Sequence, residues 1–151
     1  MPDILTGARV KAADFPAAVW AQDTTDINGV SSGAFTPGSP EVGVTFTAPT
    51  SGRVLVFVGG GARAAGGPRV FLAANVFEGV DDTGPEVLAS SVGFTGCGFS
   101  SASTDYYFQG RAFHLDGLSP GATHYARVTY ATSGAGSGDI SCREIGVVPI
   151  P

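Results

Sequence analysis

The chain has 151 residues and a formal net charge of −5, with 43% hydrophobic and 14% charged residues. This length fits one ordinary domain with an appended segment and excludes a second full core. The apolar content excludes a disordered polymer, no run approaches the roughly 18–20 apolar residues of a membrane-spanning helix, and seven scattered arginines with the single Lys11 form no basic patch for nucleic acid.

The start, Met1-Pro-Asp-Ile-Leu-Thr-Gly-Ala-Arg, lacks a charged stretch followed by an apolar one, so no secretory signal is expected and synthesis in a cytoplasm is. Asp14-Phe-Pro, Asp23-Thr-Thr-Asp, Asn28-Gly, Ser31-Ser-Gly and Pro37-Gly-Ser-Pro supply turns without a sustained periodic run. Ala12 to Gln22 has room for one short helical turn, with Asp14 as N-cap and Pro16 in its first turn. Residues 1–40 are therefore expected to form an extended arm, and residues 41–151 a head. Phe15, Pro16, Val19 and Trp20 are large apolar groups on a segment without its own core, which is costly in water, so they are the expected anchors of the arm in a neighbouring protein.

The head reads as β throughout. Its apolar runs are short, rich in Val, Phe, Tyr and Thr, and punctuated by many of the 23 glycines and 10 prolines. Val42 to Ala48 alternates as a strand with one buried face. Arg53 to Gly59 is almost continuously apolar, the pattern of a strand buried on both faces or lying at a subunit contact, and is expected to be the most deeply buried. Gly59-Gly60-Gly61 and Gly66-Gly67-Pro68 then break the chain, and the first glycines suit a close backbone approach at a symmetry axis. Arg69 to Glu78 and Glu86 to Ala89 form a hairpin around Asp81-Asp-Thr-Gly-Pro, and Gly93 to Thr104 is a long loop holding one short strand. Tyr106 to Leu115 and Thr123 to Ala131 follow, the latter with imperfect alternation at Tyr125, Val128 and Tyr130 that suggests a bulge. Asp139 to Ile150 closes the head with Ile140, Cys142 and Ile145 inward. About eight strands in roughly a hundred residues make a sandwich or barrel.

Catalytic chemistry finds no footing. There is no nucleophile elbow, phosphate loop or His-Glu-x-x-His, and no enzyme activity or cofactor is expected. His114 and His124 lie ten residues apart across a turn, with Asp116 as the one convenient third ligand, and read first as strand histidines. Asp81, Asp82 and Asp105 lack the ligand series of a calcium loop, and Asp81-Asp82 reads as a solvated turn. Cys97 and Cys142 read first as two buried thiols, with a disulfide pinning the last strand to the middle loop as the alternative.

Two segments resemble known families. Gly7-Ala-Arg-Val-Lys-Ala-Ala-Asp-Phe-Pro is similar to the opening of many phage tail and fibre proteins. From Val42 to Ile150, "VTFTAPTSGRVLV", "LDGLSPGATHYARVTY" and "GDISCREIGVVP" resemble the small tumour-necrosis-factor-like or complement-head-like jelly rolls found as minor tail or structural proteins in phages of actinobacteria. The resemblance implies an antiparallel jelly-roll sandwich of about eight strands, a homotrimer, a virion location and no membrane insertion, with the arm docked on other virion proteins. The head would contact host surface glycan through the loops 62–68 and 93–104, where Arg63, Phe94 and Phe99 are the candidate recognition residues. A capsid decoration protein at three-fold positions is the competing reading. So is a free carbohydrate-binding or fibronectin type III-like module, because Leu118 to Tyr125 is similar to a tyrosine corner, although the lone Trp20 lies far from where a fibronectin core tryptophan belongs.

Overall fold

The computed structural model describes residues 15–65, 67–99, 102–134 and 136–151, and within them the chain is all β. Eleven strands form in chain order: β1 (Val19–Asp23), β2 (Ile27–Val30), β3 (Thr36–Pro37), β4 (Gly43–Thr47), β5 (Arg53–Ala65), β6 (Val70–Glu78), β7 (Glu86–Leu88), β8 (Gly96–Gly98), β9 (Ala102–Leu115), β10 (Thr123–Thr132) and β11 (Gly138–Ile150). They build two sheets, one ordered β1-β11-β5-β9 with β2 also on β11, the other β3-β10-β6-β7 with β4 also on β10 and β8 also on β6. Each pairing is antiparallel. Because β1 and β2, β3 and β4, and β7 and β8 share edges, each sheet is four strands wide. From β4 onward the chain crosses between sheets at almost every connection, which makes the sandwich a jelly roll and excludes the fibronectin arrangement.

The core between the sheets follows from alternation. Val54, Val56 and Val58 of β5 face Val70, Leu72, Ala74 and Val76 of β6, with Ile145 and Val147 of β11, Ala126 and Val128 of β10 and Phe99 completing the layer. These side chains are almost fully removed from water, worth roughly 1.5–3 kcal/mol for each large one before chain entropy is set against it.

Four expectations are corrected. Residues 15–40 do not form a coreless arm: β1, β2 and β3 pair with β11 and β10, and Val19 and Ile27 pack on the core. The helical turn is absent from the described part of Ala12 to Gln22, where Val19–Asp23 is a strand, while Asp14 lies outside the described residues. Gly59 to Gly61 do not end β5, which runs through them to Ala65. A Cβ on Gly60 would stand 2.1 Å from the Cys142 carbonyl oxygen and 2.7 Å from Leu72, so the backbones meet there as no other residue permits. Finally, β10 pairs with β6 in unbroken register from His124 to Thr132, and register shifts occur elsewhere, among them at Ile140/Cys142 of β11 and where Ala62 to Ala64 of β5 meets the longer stretch Ser103 to Tyr107 of β9. The alternation looked imperfect because inward positions hold His124 and Ala126 while Tyr125 points out.

A buried cation ties residues 23–40 to the head. Arg143, 1% exposed, bonds the Asp23 carboxylate at 2.7 Å and the Pro40 carbonyl at 2.6 Å, two partners far away in sequence.

Candidate functional site

The two sheets present very different outer faces. On β5 the outward residues are Leu55, Phe57, Gly59 and Gly61, opposite His114, Ala112, Gly110 and Phe108 of β9 and Val148, Gly146, Glu144 and Cys142 of β11. Trp20 of β1 pairs with Gly146 and lies over it, where a Cβ would stand 2.4 Å from the indole, and its ring stacks on Phe57 at 5.3 Å. The indole is 55% and Phe108 69% exposed, so the face is an apolar stripe with a glycine floor and a projecting aromatic edge. Beside that floor a notch of about 310 Å³ is lined by Gln22, Phe108, Cys142 and Glu144, with the Gln22 amide donating to the Cys142 sulfur at 3.3 Å.

The other outer face is covered by the chain itself. Residues 79–99 fold back across β6 and β10, where Asn75 donates to Glu86 at 2.9 Å and to the Leu88 carbonyl at 2.9 Å, and Ser90 and Thr129 share a hydrogen bond of 2.7 Å. Arg127 pairs with Glu41 and Asp82 and lies 4.9 Å above the Phe77 ring. Tyr125 donates to Glu41 at 2.5 Å rather than to upstream backbone, so it is no tyrosine corner. The strand buried on both faces is consequently β6, not β5, whose Leu55 and Phe57 stay half-exposed.

At one end of the uncovered face, Arg63, Ala64, Thr104, Ser137, Gly138 and Asp139 line a polar notch of about 330 Å³. At the opposite end Phe15, Pro16, Ala17 and Val19 meet Thr45, Phe46 and Thr47 around a shallow apolar hollow of about 470 Å³.

The residues singled out from sequence are thus dispersed. Phe15 and Pro16 sit where the described chain begins, Val19 packs on the core, and Trp20 belongs to the sheet face. Arg63 is at the far end, whereas Phe94 is exposed along a side of the sandwich, its ring 5.6 Å from Phe113. Phe99 is fully buried, its amide bonded to the Val70 carbonyl, and so is a core residue and no recognition residue. His114 and His124 lie on different sheets, the second buried against Phe46 at 5.4 Å. Asp81 accepts both the amide and the hydroxyl of Thr83, which hold its carboxyl below the usual range. Its neighbour Asp82 is ion-paired with Arg127 rather than merely solvated. Cys97 and Cys142 are free thiols, and burial pushes the Cys97 thiol up to about 11. Among the described residues no three His, Cys, Asp or Glu side chains group as metal ligands.

No protein-family model matches the sequence, and no curated protein matches it. Solved structures do. Chains in the structures of infectious bursal disease virus Gx strain and Gt strain match with TM-scores of 0.51 and 0.50 at 11% and 10% identity. Each match covers 89% of this chain and 32% of the virus chain, so the chain spans about a third of their length. Eiger, a tumour necrosis factor from S. frugiperda, matches with a TM-score of 0.47 at 12% identity over 89% of this chain and 93% of its own. At such identities the virus matches establish a shared fold.

Sequence reasoning missed the cover over the second sheet, the Arg143 tie and the polar end notch. For the last, Arg63 was visible but its partner Asp139 was not, since β-sheet register across 76 positions joins them.

Proposed function

We propose that the chain is a structural protein of a virus particle: a homotrimeric head carried on the tail, baseplate or fibre of a bacteriophage and turned toward the host surface. The observation that carries this reading is the outer face of the β1-β11-β5-β9 sheet, which no other segment of the described residues covers. Monomers rarely leave a contiguous stripe such as Trp20, Phe57, Leu55 and Val148 in water, and obligate subunit contacts are where such faces belong. The projecting edge at Phe108 and the glycine floor are different patches, so a contact between them in successive copies is heterologous, the type that forms a ring where the rotation between copies closes. The tumour-necrosis-factor-like resemblance of the sequence favours three members for that ring.

Two further points support the particle setting. The virus chains matched above share the fold, and the opening at Gly7 to Pro16 is similar to phage tail proteins. Phe15 and Pro16 line the hollow at one end of the head, and the segment they belong to carries the docking onto another virion protein.

Light scattering of the purified protein tests the assembly, with a mass of three times 15.2 kDa expected. A monomer would overturn it. Deleting residues 1–18 should abolish incorporation into particles while the shortened chain still scatters as a trimer; unchanged incorporation would sink the docking role. Copy number per particle separates the alternatives, because one matching the shell subunits means capsid decoration at three-fold positions and a handful means tail.

A further inference from the structure

The two ends of the head differ in chemistry. Arg53 lies at the end where the chain finishes, its guanidinium on the Pro151 carbonyl at 3.1 Å, and Val19 pairs with Val147 nearby. Ten residues of extended strand, about 33 Å, carry β5 from there to Arg63. The notch at Arg63 is therefore at the end pointing away from the docking segment.

Its two charged groups are held in place. Arg63 donates through Nε to Asp139 at 3.0 Å and through Nη1 to the Thr104 carbonyl at 3.5 Å, and its guanidinium plane lies 4.5 Å from the Tyr106 ring centre. The second Asp139 oxygen accepts the Gly29 amide at 3.0 Å. Both side chains nonetheless keep solvent-facing area, 40% for Arg63 and 26% for Asp139. A ligand would find donors and an acceptor already oriented, with little side-chain entropy left to lose.

Charge selects the ligand. Asp139 offsets the arginine, and the Asp26 carboxylate lies within its electrostatic reach, so the notch has no net positive field to draw an anion. An adjacent cationic donor and anionic acceptor match neighbouring hydroxyls, one accepting from the guanidinium and one donating to the carboxylate. A cavity of about 330 Å³ is at the small end of the range of roughly 300–1,000 Å³ for ligand pockets and suits one sugar ring better than a long chain segment.

We propose that this notch binds a neutral saccharide, Arg63 and Asp139 reading a vicinal diol with Thr104 and Ser137 at its rim. The inference deepens the host-contact part of the reading above and rests on it for its biological setting.

The test is an amide-resolved NMR titration of the full chain with methyl glycosides of glucose, galactose, mannose and N-acetylglucosamine, and with sialic acid. The expected result is saturable, millimolar shifts from at least one neutral sugar, confined to Arg63, Thr104 and residues 137–139. They should weaken at least tenfold in Arg63→Gln and in Asp139→Asn, and be unchanged in Arg53→Gln at the opposite end. No shift with any neutral sugar, shifts that persist in both notch variants, or a preference for sialic acid overturns the proposal. An unchanged thermal midpoint shows that each variant is folded. Light scattering on the same samples keeps the two readings apart: a trimer without sugar shifts removes this site alone, and a monomer that binds sugar removes the trimer alone.

Discussion

The outer faces of the two sheets are built on the same period-two alternation and end in opposite states. Over β6 and β10 the chain spends part of residues 79–99 as a cover, and two polar side chains beneath it are answered: Asn75 by Glu86 and Leu88, Thr129 by Ser90 and the Ala73 carbonyl. Over β5 and β11 none of the described residues forms such a cover, and the outward positions hold mostly aromatics, aliphatics and glycines, with Glu144 the charged exception on β11. A face satisfied by its own chain is a folding element. A face left apolar and smooth is an assembly element, and substitutions on the two should separate into different measurements.

The largest expected effect is on assembly. Phe57→Asp puts a charge in the middle of the stripe under Trp20, and the scattering mass should fall to that of a single chain, since an unpaired buried charge is strongly destabilising at an interface. Folding should lose about 1–2 kcal/mol, because Phe57 is only partly buried in the single chain but gives up its stacking on Trp20. A variant that keeps its mass would mean that this face is not the contact. Gly146→Ala tests the same point gently: the added methyl meets the Trp20 ring, a side chain that can swing aside, so mass should drop on dilution while the thermal midpoint holds.

Next comes Gly60→Ala, on the inward side of the same sheet. Its methyl would strike the Cys142 carbonyl, which is backbone and cannot swing away, so the cost falls on folding, about 3 kcal/mol by analogy with overpacked cores. Asn75→Ala under the cover should cost about 2 kcal/mol, read by urea unfolding, since it removes two hydrogen bonds at a buried position. Assembly should survive it. If instead Asn75→Ala dissociated the protein and Phe57→Asp unfolded it, the division of labour between the faces would be the reverse of the one argued.

The sequence made most strands from β4 onward legible and hid those of the first quarter. β4, β5, β6 and β9 to β11 carry β-branched and aromatic runs because one or both of their faces are buried, and that burial is written locally. β1 is Val-Trp-Ala-Gln-Asp, a short edge strand whose partner lies more than a hundred positions away, so neither period nor length marks it. The same distance hides Arg143: an arginine within an apolar run reads as exposed until Asp23 and Pro40 are brought to it. The glycine run was read as a break because glycine has no side chain to pack, yet that lack is what lets β5 pass between Leu72 and Cys142. Of the candidate recognition residues, Arg63 stood out as a loop-end cation, while Phe99 misled because an aromatic in a Gly/Ser-rich stretch looks exposed unless the strand end it covers is known.

The smallest effect concerns the core between the two faces and appears only in alkali. Cys97 on β8 packs against Leu72, and burial pushes its thiol up to about 11 from an ordinary value of 9.0. The folded chain thus holds this proton more tightly than the unfolded one. Its contribution to stability is intact below pH 9 and is lost as pH rises toward 11, by up to about 2 kcal/mol with allowance for the part of the side chain that water reaches. Tyr125, raised by burial and by the Glu41 carboxylate beside it, withdraws its own contribution from about pH 10 upward in the same direction. Urea unfolding of the wild type and of Cys97→Ala across pH 8 to 11.5 tells the two apart, because Tyr125 is common to both and cancels in the difference. That difference should be flat to about pH 9 and then shift in favour of the alanine variant. A difference that stays flat throughout would mean that water reaches the thiol, and that the core between β8 and β9 is looser there than its burial implies.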